Sequence, residues 1–260
     1  MGGDAKIDME NTPLILALDT SGDFCGIALL RGTTLLCDYT FRHEMHLSEN
    51  LLSILDTLLH QYRLTLEEIE AFAVGVGPGS FTGTRIGVMT AKTFAAVQKK
   101  PLYGVNSLDA LAHQCRGLSN TAVFPLLPCR RESVYAAPYA VHKEALERRA
   151  EILAVGFEDL ASMIVAQPEE AILLCGAGAE IHQSALTTTL QGSKKHLSFL
   201  SGLLPRASAI GHIAVERYGA GDEGDDLFEL VPEYVAPPPI TLPKRSFSLI
   251  PPILEGENHA

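Results

Sequence analysis

The sequence predicts an α/β fold of two similar lobes, each with the element order β-β-β-α-β-α. The first observation is that three strand-like runs, a helix, a strand and a second helix follow one another within residues 14–98. The second is that the same order recurs within residues 122–190, although the two halves share no evident sequence identity. Two copies of one such unit with a cleft between them make the actin-like (ASKHA) plan, in which each lobe is ribonuclease-H-like.

In the first half, apolar runs bounded by Gly and Ser turns predict the strands, and apolar residues at helical spacing predict the helices. The predicted strands are 14–20, 24–31, 34–41, 72–76 and 102–105, and the predicted helices are 47–62, 81–98 and 106–116. Asn106 or Ser107 would cap the last of these helices, which we expect to act as the hinge between the lobes.

In the second half, the same signals predict the strands 122–127, 133–140, 149–155, 171–175 and 196–199 and the helices 157–166, 180–190 and 208–218. We therefore expect a flexible tail at 1–12, an N-terminal lobe at 13–116 and a C-terminal lobe at 117–205. A closing helix at 206–219 and an extended tail at 220–260 would follow, because the chain there becomes acidic and then rich in proline.

Composition limits the partners that the chain can have. Its 260 residues carry a net charge of −11 with a pI near 5.2, which argues against binding nucleic acid alone, since that requires clustered Lys and Arg. The five cysteines are scattered without a C-x-x-C pair, which is typical of reduced thiols. No run approaches the ~18 apolar residues of a membrane span, and the first twelve residues lack the apolar core of a signal peptide. We expect a cytoplasmic protein without membrane contact.

The Gly-rich turn between strand 72–76 and helix 81–98 is the most unusual stretch of the chain. Its glycines allow close approach of a ligand or of another segment, and a tightly packed turn explains them equally well. They are Gly75, Gly77, Gly79 and Gly83. Their spacing matches neither the P-loop nor the G-x-G-x-x-G pattern. Thr82 or Thr84 would cap the helix that follows.

Three stretches carry a family resemblance. They are ILALDTS at 15–21, GPGSFTGTRIGVMTAK at 77–92 and PLYGVNSL at 101–108. Together they resemble the bacterial TsaB (YeaZ) family, the partner subunit in threonylcarbamoyladenosine modification of tRNA, which is related to the TsaD/Kae/glycoprotease proteins. The resemblance covers most of the first 115 residues and is weak beyond them.

The resemblance implies that helices 47–62 and 81–98 form the dimer face toward a TsaD-type subunit, with a homodimer through the same face left open. Both helices are apolar enough to support this role, although a plain core helix accounts for part of the pattern. The residues predicted for the partner interface are Leu51, Leu55, Leu58, Thr84, Gly87, Val88 and Ala91.

A nucleotide site is the second hypothesis. In actin-like ATPases an acidic residue and small hydroxyls after the first strand serve the phosphates and their metal, and Asp19, Thr20 and Ser21 occupy that place here. Gly176 and Gly178 could approach an adenosine. Caps and turns explain all five residues as well. The TsaB family has an Asp in its second phosphate-facing hairpin, where this chain has Pro128. We therefore expect that no cofactor is required, and weak binding of ATP or ADP at the shared complex is left open.

A metal site is not expected. The catalytic TsaD relatives carry a His-x-x-x-His pair after an Asn, and the matching positions here are Ser107 and Leu111, which are poor ligands. His43 and His46 are only three apart with no third ligand evident. This pattern also argues against a glycoprotease-like metallohydrolase.

The resemblance therefore implies a non-catalytic scaffold or activating subunit that dimerises with a TsaD-type subunit. Through that complex alone it would act on tRNA, at the adenosine next to the anticodon, with a TsaE-type ATPase as a third component. The alternative from another class is an independent actin-like ATPase or kinase that uses Asp19.

Overall fold

The computed structural model describes residues 12–42, 47–130, 132–142 and 145–235. The predicted tail at 1–12, apart from Thr12, lies outside the described residues, as do His43, His46 and everything beyond Val235. Within the described residues no helix is both long and apolar enough to cross a membrane.

The first lobe contains the first copy of the predicted element order. Its elements are β1 (Leu14–Asp19), β2 (Phe24–Arg31), β3 (Thr34–Arg42), α1 (Leu47–Tyr62), β4 (Ala71–Gly77), α2 (Phe81–Gln98), β5 (Leu102–Asn106) and α3 (Ser107–His113). The strands lie in the order β3-β2-β1-β4-β5. The first three are antiparallel neighbours, whereas β4 and β5 run parallel to β1.

The second lobe follows the same plan with additional short elements. These are β6 (Thr121–Arg130), β7 (Ser133–Ala136), β8 (Tyr139–His142), β9 (Ala145–Arg148), β10 (Leu153–Gly156), α4 (Phe157–Val165), β11 (Ala171–Cys175), α5 (Ala177–Ile181), α6 (Gln183–Thr189), β12 (His196–Leu200) and α7 (Ala207–Gly219). Its sheet has the order β10-β7-β6-β11-β12, with β8 paired to β6 and β9. The predicted fold class, α/β with two ribonuclease-H-like lobes, is confirmed.

Two predicted elements are interrupted. The predicted strand 133–140 is β7 and β8, which keep one register on β6, since Leu126 pairs with Ala136 and Ala122 with Ala140. The break falls at Pro138, which has no N–H to donate to the ladder. The predicted helix 180–190 begins earlier and divides at His182 into α5 and α6.

The first sheet is covered on both faces, which explains why β1 and β2 are almost entirely apolar. On one face, α1 and α2 pack over β1, β2 and β4 around Phe72. On the other face, α7 returns from the second lobe and packs Ala207, Ile210 and Ala214 against β1 and β2. The predicted closing helix thus completes the core of the first lobe.

Candidate functional site

The Gly-rich turn joins the end of β4 to the start of α2. Gly77 has a φ of 96° and is followed by a cis peptide bond to Pro78. Ser80 caps α2, because its side chain accepts a hydrogen bond from the Gly83 N–H at 3.2 Å. The prediction that Thr82 or Thr84 is the cap is wrong, since the helix begins at Phe81 and both threonines lie within its first turn.

The glycines of this turn make room for the chain itself. A Cβ at Gly79 would lie 2.1 Å from the carbonyl oxygen of Ser21, and a Cβ at Gly83 would lie 2.2 Å from that of Thr20. At Gly87 a Cβ would lie 2.2 Å from the Thr20 Oγ1. The Ser80 N–H also donates to the Ser21 oxygen at 2.6 Å. The glycine spacing therefore allows α2 to pack directly on the turn after β1.

The residues predicted for the partner interface face the interior of the first lobe. All seven are buried, and the most exposed of the hydrophobic ones reaches only 7%. They are Leu51, Leu55, Leu58, Thr84, Gly87, Val88 and Ala91. Their burial argues against direct contact with a partner, because a stripe of small and apolar residues at helical spacing is what α1 and α2 need to cover their own sheet. Leu55 also lines a groove at the surface, and the assignment of these residues to a partner interface stays a prediction.

The opposite sides of α1 and α2 carry exposed apolar side chains. Leu52 on α1 is 51% exposed, and Met89 and Val97 on α2 are 61% and 69% exposed. A groove of about 400 Å³ is formed by α1, residues 64–66 and Phe94 of α2, and Leu52 and Leu59 line it from α1. We call this surface the outer face. Solvent-exposed apolar side chains beside an apolar groove are typical of a protein interaction site.

A second cleft, of about 360 Å³, lies between the lobes. Ser21, Asp23 and Gly79 line it from the first lobe, and Leu127, Pro128 and Ala177 line it from the second. Among the described residues that line it, none is Lys or Arg. A phosphate chain in this cleft would therefore meet apolar side chains, the hydroxyl residues Ser21 and Ser80 and the acidic Asp23, with no Lys or Arg among these lining residues.

The three residues predicted to serve phosphates are buried and hydrogen-bonded within the protein. Asp19, Thr20 and Ser21 are at most 3% exposed. Thr20 donates its hydroxyl to the Gly83 carbonyl at 2.7 Å, and the Ser21 N–H donates to the Asp19 carboxylate at 3.0 Å. Burial raises the pKa of Asp19 from 3.8 to about 6, despite the hydrogen bonds that lower it.

Asp19→Asn should flatten the dependence of stability on pH between about pH 4 and pH 6. Because the pKa of Asp19 is raised in the folded protein, its protonated form stabilises the fold below about pH 4. This stabilisation is lost as the pH rises through about 6, and the free energy of unfolding falls by on the order of 3 kcal/mol in all. Urea unfolding of both proteins at about pH 4 and pH 7 would measure this difference. Other groups, such as His113 with its pKa lowered by burial to about 4, titrate in both proteins. An equal change in the free energy of unfolding between the two pH values in both proteins would contradict the raised pKa of Asp19.

Gly176 and Gly178 lie where β11 turns into α5. A Cβ at Gly176 would lie 2.7 Å from the Leu126 carbonyl oxygen, and one at Gly178 would lie 2.9 Å from the same group. Gly176 also has a φ of 88°. Close packing of α5 on β6 therefore explains both glycines. Their neighbour Ala177 lines the interlobe cleft, and the prediction that these two glycines approach a nucleotide stays a prediction.

Ser107 and Leu111, the positions that match the histidine ligands of the TsaD relatives, lie in the core. The Ser107 hydroxyl donates to the Ser21 hydroxyl at 3.0 Å, and Leu111 packs in the apolar cluster between the lobes. Asn106 caps α3 by accepting the Leu108 N–H at 2.7 Å, as predicted. Within the described part of the chain no three His, Cys, Asp or Glu side chains gather in a way that could hold a metal ion.

Residues 222–235, which we call the C-terminal segment, contribute contacts that the sequence did not predict. The segment has no helix or strand, yet it runs along the edge of β5, where the Asp225 carboxylate accepts the Gly104 N–H at 2.6 Å and pairs with Arg217 at 2.8 Å. Further on, the Glu233 N–H donates to the Val76 carbonyl at 2.7 Å and its carboxylate accepts from Asn106. The segment is therefore held against the Gly-rich turn.

The signal for this packing was weak in the sequence. Leu227 and Leu230 pack against the core of the first lobe, and they are spaced by three residues within an acidic run. That composition favours a solvated tail when it is read alone. The clearer sign was a glycine, Gly104, inside a predicted strand, which indicates close approach of another segment. In the structure a Cβ at Gly104 would lie 2.5 Å from the Leu230 side chain.

Comparison with known proteins agrees with this architecture. The family model for TsaD, tRNA N6-adenosine threonylcarbamoyltransferase, matches residues 42–210. The tRNA threonylcarbamoyladenosine biosynthesis protein TsaB of Bacillus subtilis (strain 168) is 30% identical over 221 residues, covering 85% of this chain and 93% of that protein. Its namesake from Escherichia coli (strain K12) is 33% identical over 126 residues, covering 48% of this chain and 54% of that protein. YeaZ from Pseudomonas aeruginosa superposes with a TM-score of 0.70 at 24% identity, covering 85% of this chain and 99% of that chain.

Proposed function

The chain belongs to the TsaB family, and from that premise we propose that it is a partner subunit in the synthesis of threonylcarbamoyladenosine in tRNA. The observation that carries the proposal is the alignment with the Bacillus subtilis TsaB protein, which extends over 85% of this chain. The proposed partner is a TsaD-type transferase subunit, with a TsaE-type ATPase as a third component. The chain reaches tRNA only through this complex, because its net charge of −11 opposes direct binding to phosphates. The complex works in the cytoplasm.

The outer face of α1 and α2 supports the proposed mode of association. Leu52, Met89 and Val97 leave apolar surface in water that a monomer has no need to expose. Burying this surface against a subunit of like fold would form a helical interface around the groove lined by Leu52 and Phe94. Self-association through the same face is the competing arrangement, and it would bring two chains of the same negative charge together.

We propose that this subunit supplies structure to the complex and does not carry out the transfer itself. The interlobe cleft is lined by apolar residues, two serines and the acidic Asp23, and the buried Asp19 carboxylate accepts the Ser21 N–H. Ser107 and Leu111, which stand at the positions of the TsaD histidines, are poor metal ligands and are buried. These features also argue against the glycoprotease-like alternative.

Depletion of the protein in its own cells, followed by complementation, tests the proposed function. Depletion of the chain should lower the threonylcarbamoyladenosine content of digested tRNA, measured by mass spectrometry of nucleosides, and the wild-type chain should restore it. Unchanged nucleoside content after depletion would contradict the proposal. Rescue by Asp19→Asn would show that the complex does not need an ionisable group at this position, as expected of a subunit that does not carry out the transfer.

The isolated chain should show no appreciable ATPase or kinase activity. The physical reason is that Pro128 offers neither a carboxylate nor an N–H to a nucleotide and the cleft lining has no cation among the described residues. Phosphate release with ATP and Mg²⁺ would be measured on tag-free protein. Steady turnover that disappears in Asp19→Asn would instead favour the independent actin-like ATPase or kinase.

A further inference from the structure

The C-terminal segment exposes three large apolar side chains although its backbone is firmly placed. Phe228 is 93% exposed, Val231 is 60% exposed and Tyr234 is 46% exposed. The residues beside them are anchored, because Leu227 and Leu230 pack against the core of the first lobe and the Glu233 N–H donates to the Val76 carbonyl. Apolar side chains held in water on an ordered backbone indicate a contact surface.

This segment lies along one edge of α2. The Lys92 ammonium donates to the Leu230 carbonyl at 2.9 Å, and the ring centroids of Phe81 and Tyr234 are 5.1 Å apart. Phe81 and Lys92 are separated by about three helical turns and so lie on the same side of α2.

The other edge of α2 faces α1, because Phe94 lines the same groove as Leu52 of α1. Met89, which is 61% exposed, lies between these two edges and points outward. The outer face is therefore continuous from α1 across α2 to the C-terminal segment, and its three parts form one surface.

The charge of the segment restricts what can cover it. It contains six acidic residues and no Lys or Arg, and Asp226 and Glu229 are exposed beside the apolar side chains. Nucleic acid would be repelled, and a second copy of this chain would add another net charge of −11. A protein surface with an apolar depression and a rim of Lys and Arg fits the segment best.

We propose that the C-terminal segment is part of the surface that binds the TsaD-type subunit, with Phe228, Val231 and Tyr234 as apolar contacts and Asp226 and Glu229 as partners of basic groups. This inference rests on the proposed function. It assigns a binding role to residues 226–235, which lie outside the matched range 42–210 of the TsaD family model.

A matched pair of double variants tests the inference by titration calorimetry with the TsaD-type subunit of the same organism. Phe228→Ser with Val231→Ser should weaken binding on the order of tenfold or more, because aromatic contacts dominate interface energetics. Val165→Ser with Ile181→Ser, two exposed apolar positions on the second lobe (54% and 64%), should change the affinity less than about twofold. Asp226→Asn with Glu229→Gln should weaken binding at low salt and reduce its salt dependence.

The outcomes separate the two proposals. Wild-type chain that does not bind the TsaD-type subunit would overturn both the proposed function and this inference. If the wild-type chain binds the TsaD-type subunit and both segment variants bind it with the same affinity, the inference alone is overturned. It is also overturned if the variants lose only the self-association of the chain. If the serine variant melts well below the wild type, the charge variant decides the result.

Discussion

Val88→Arg should prevent the first lobe from folding stably. Val88 is 2% exposed and packs in the same apolar core as Leu51, Phe72 and Ala91. An arginine there would force a charge and extra volume into a close-packed region, which should lower the free energy of unfolding by roughly several kcal/mol. For a protein of this size that corresponds to a fall in melting temperature of roughly 10 °C or more, or to insoluble protein. Thermal melting and the soluble yield measure the effect.

The neighbouring position supplies the control. Met89→Arg makes the same substitution one residue along α2, at a side chain that is 61% exposed, and should shift the melting temperature by little. Gly87→Ala should also destabilise the lobe, because its Cβ would lie 2.2 Å from the Thr20 Oγ1 in a buried contact. If Val88→Arg melted like the wild type while Met89→Arg did not, the assignment of inner and outer sides of α2 would be reversed.

Met89→Arg combined with Leu52→Arg should abolish association with the TsaD-type subunit while the monomer stays folded. Both side chains lie on the outer face and are more than half exposed. In a complex they would become buried, and two unpaired guanidinium groups there would cost several kcal/mol, roughly, which weakens binding by about a hundredfold or more. Size-exclusion chromatography with light scattering of the mixed subunits would measure the loss of the complex.

Val165→Arg on α4 is the control for that variant. Combined with Ile181→Arg, it places the same two charges at side chains of the second lobe that are 54% and 64% exposed, so the complex should form normally. A Leu52→Arg/Met89→Arg variant that melts normally and still forms the complex would show that the partner binds elsewhere.

The sequence predicted the fold well because its strongest signals are local. The bounds of α1 and α2 follow from uninterrupted helical periodicity between clear turn residues, and both helices have the predicted ends. Strand order in the two sheets follows from the element order, since a β-hairpin pair followed by parallel crossovers has few compact arrangements. Interruptions such as the one at Pro138 depend on pairing with a distant strand and were not predicted.

The site was predicted less well because an apolar stripe at helical spacing can cover either the helix's own sheet or the surface of a partner. The stripe containing Gly87, Val88 and Ala91 was interpreted as a partner surface, whereas it packs on the turn after β1 and on the first sheet. Met89 follows Val88 directly and Val97 follows Ala95 and Ala96, so neither residue stood out from the apolar pattern of the helix. The anchoring of Leu230 beside Gly104 depends on contacts between residues far apart in sequence.

Amide hydrogen exchange of the chain, alone and with the TsaD-type subunit, tests the central claim most directly. We expect the added subunit to slow exchange in helices 47–62 and 81–98 and in residues 226–235, because these three parts form the outer face. Exchange in α4 and α6 of the second lobe should not change. Slower exchange confined to the second lobe or to the interlobe cleft, or no change anywhere, would contradict the assignment of the outer face as the partner surface.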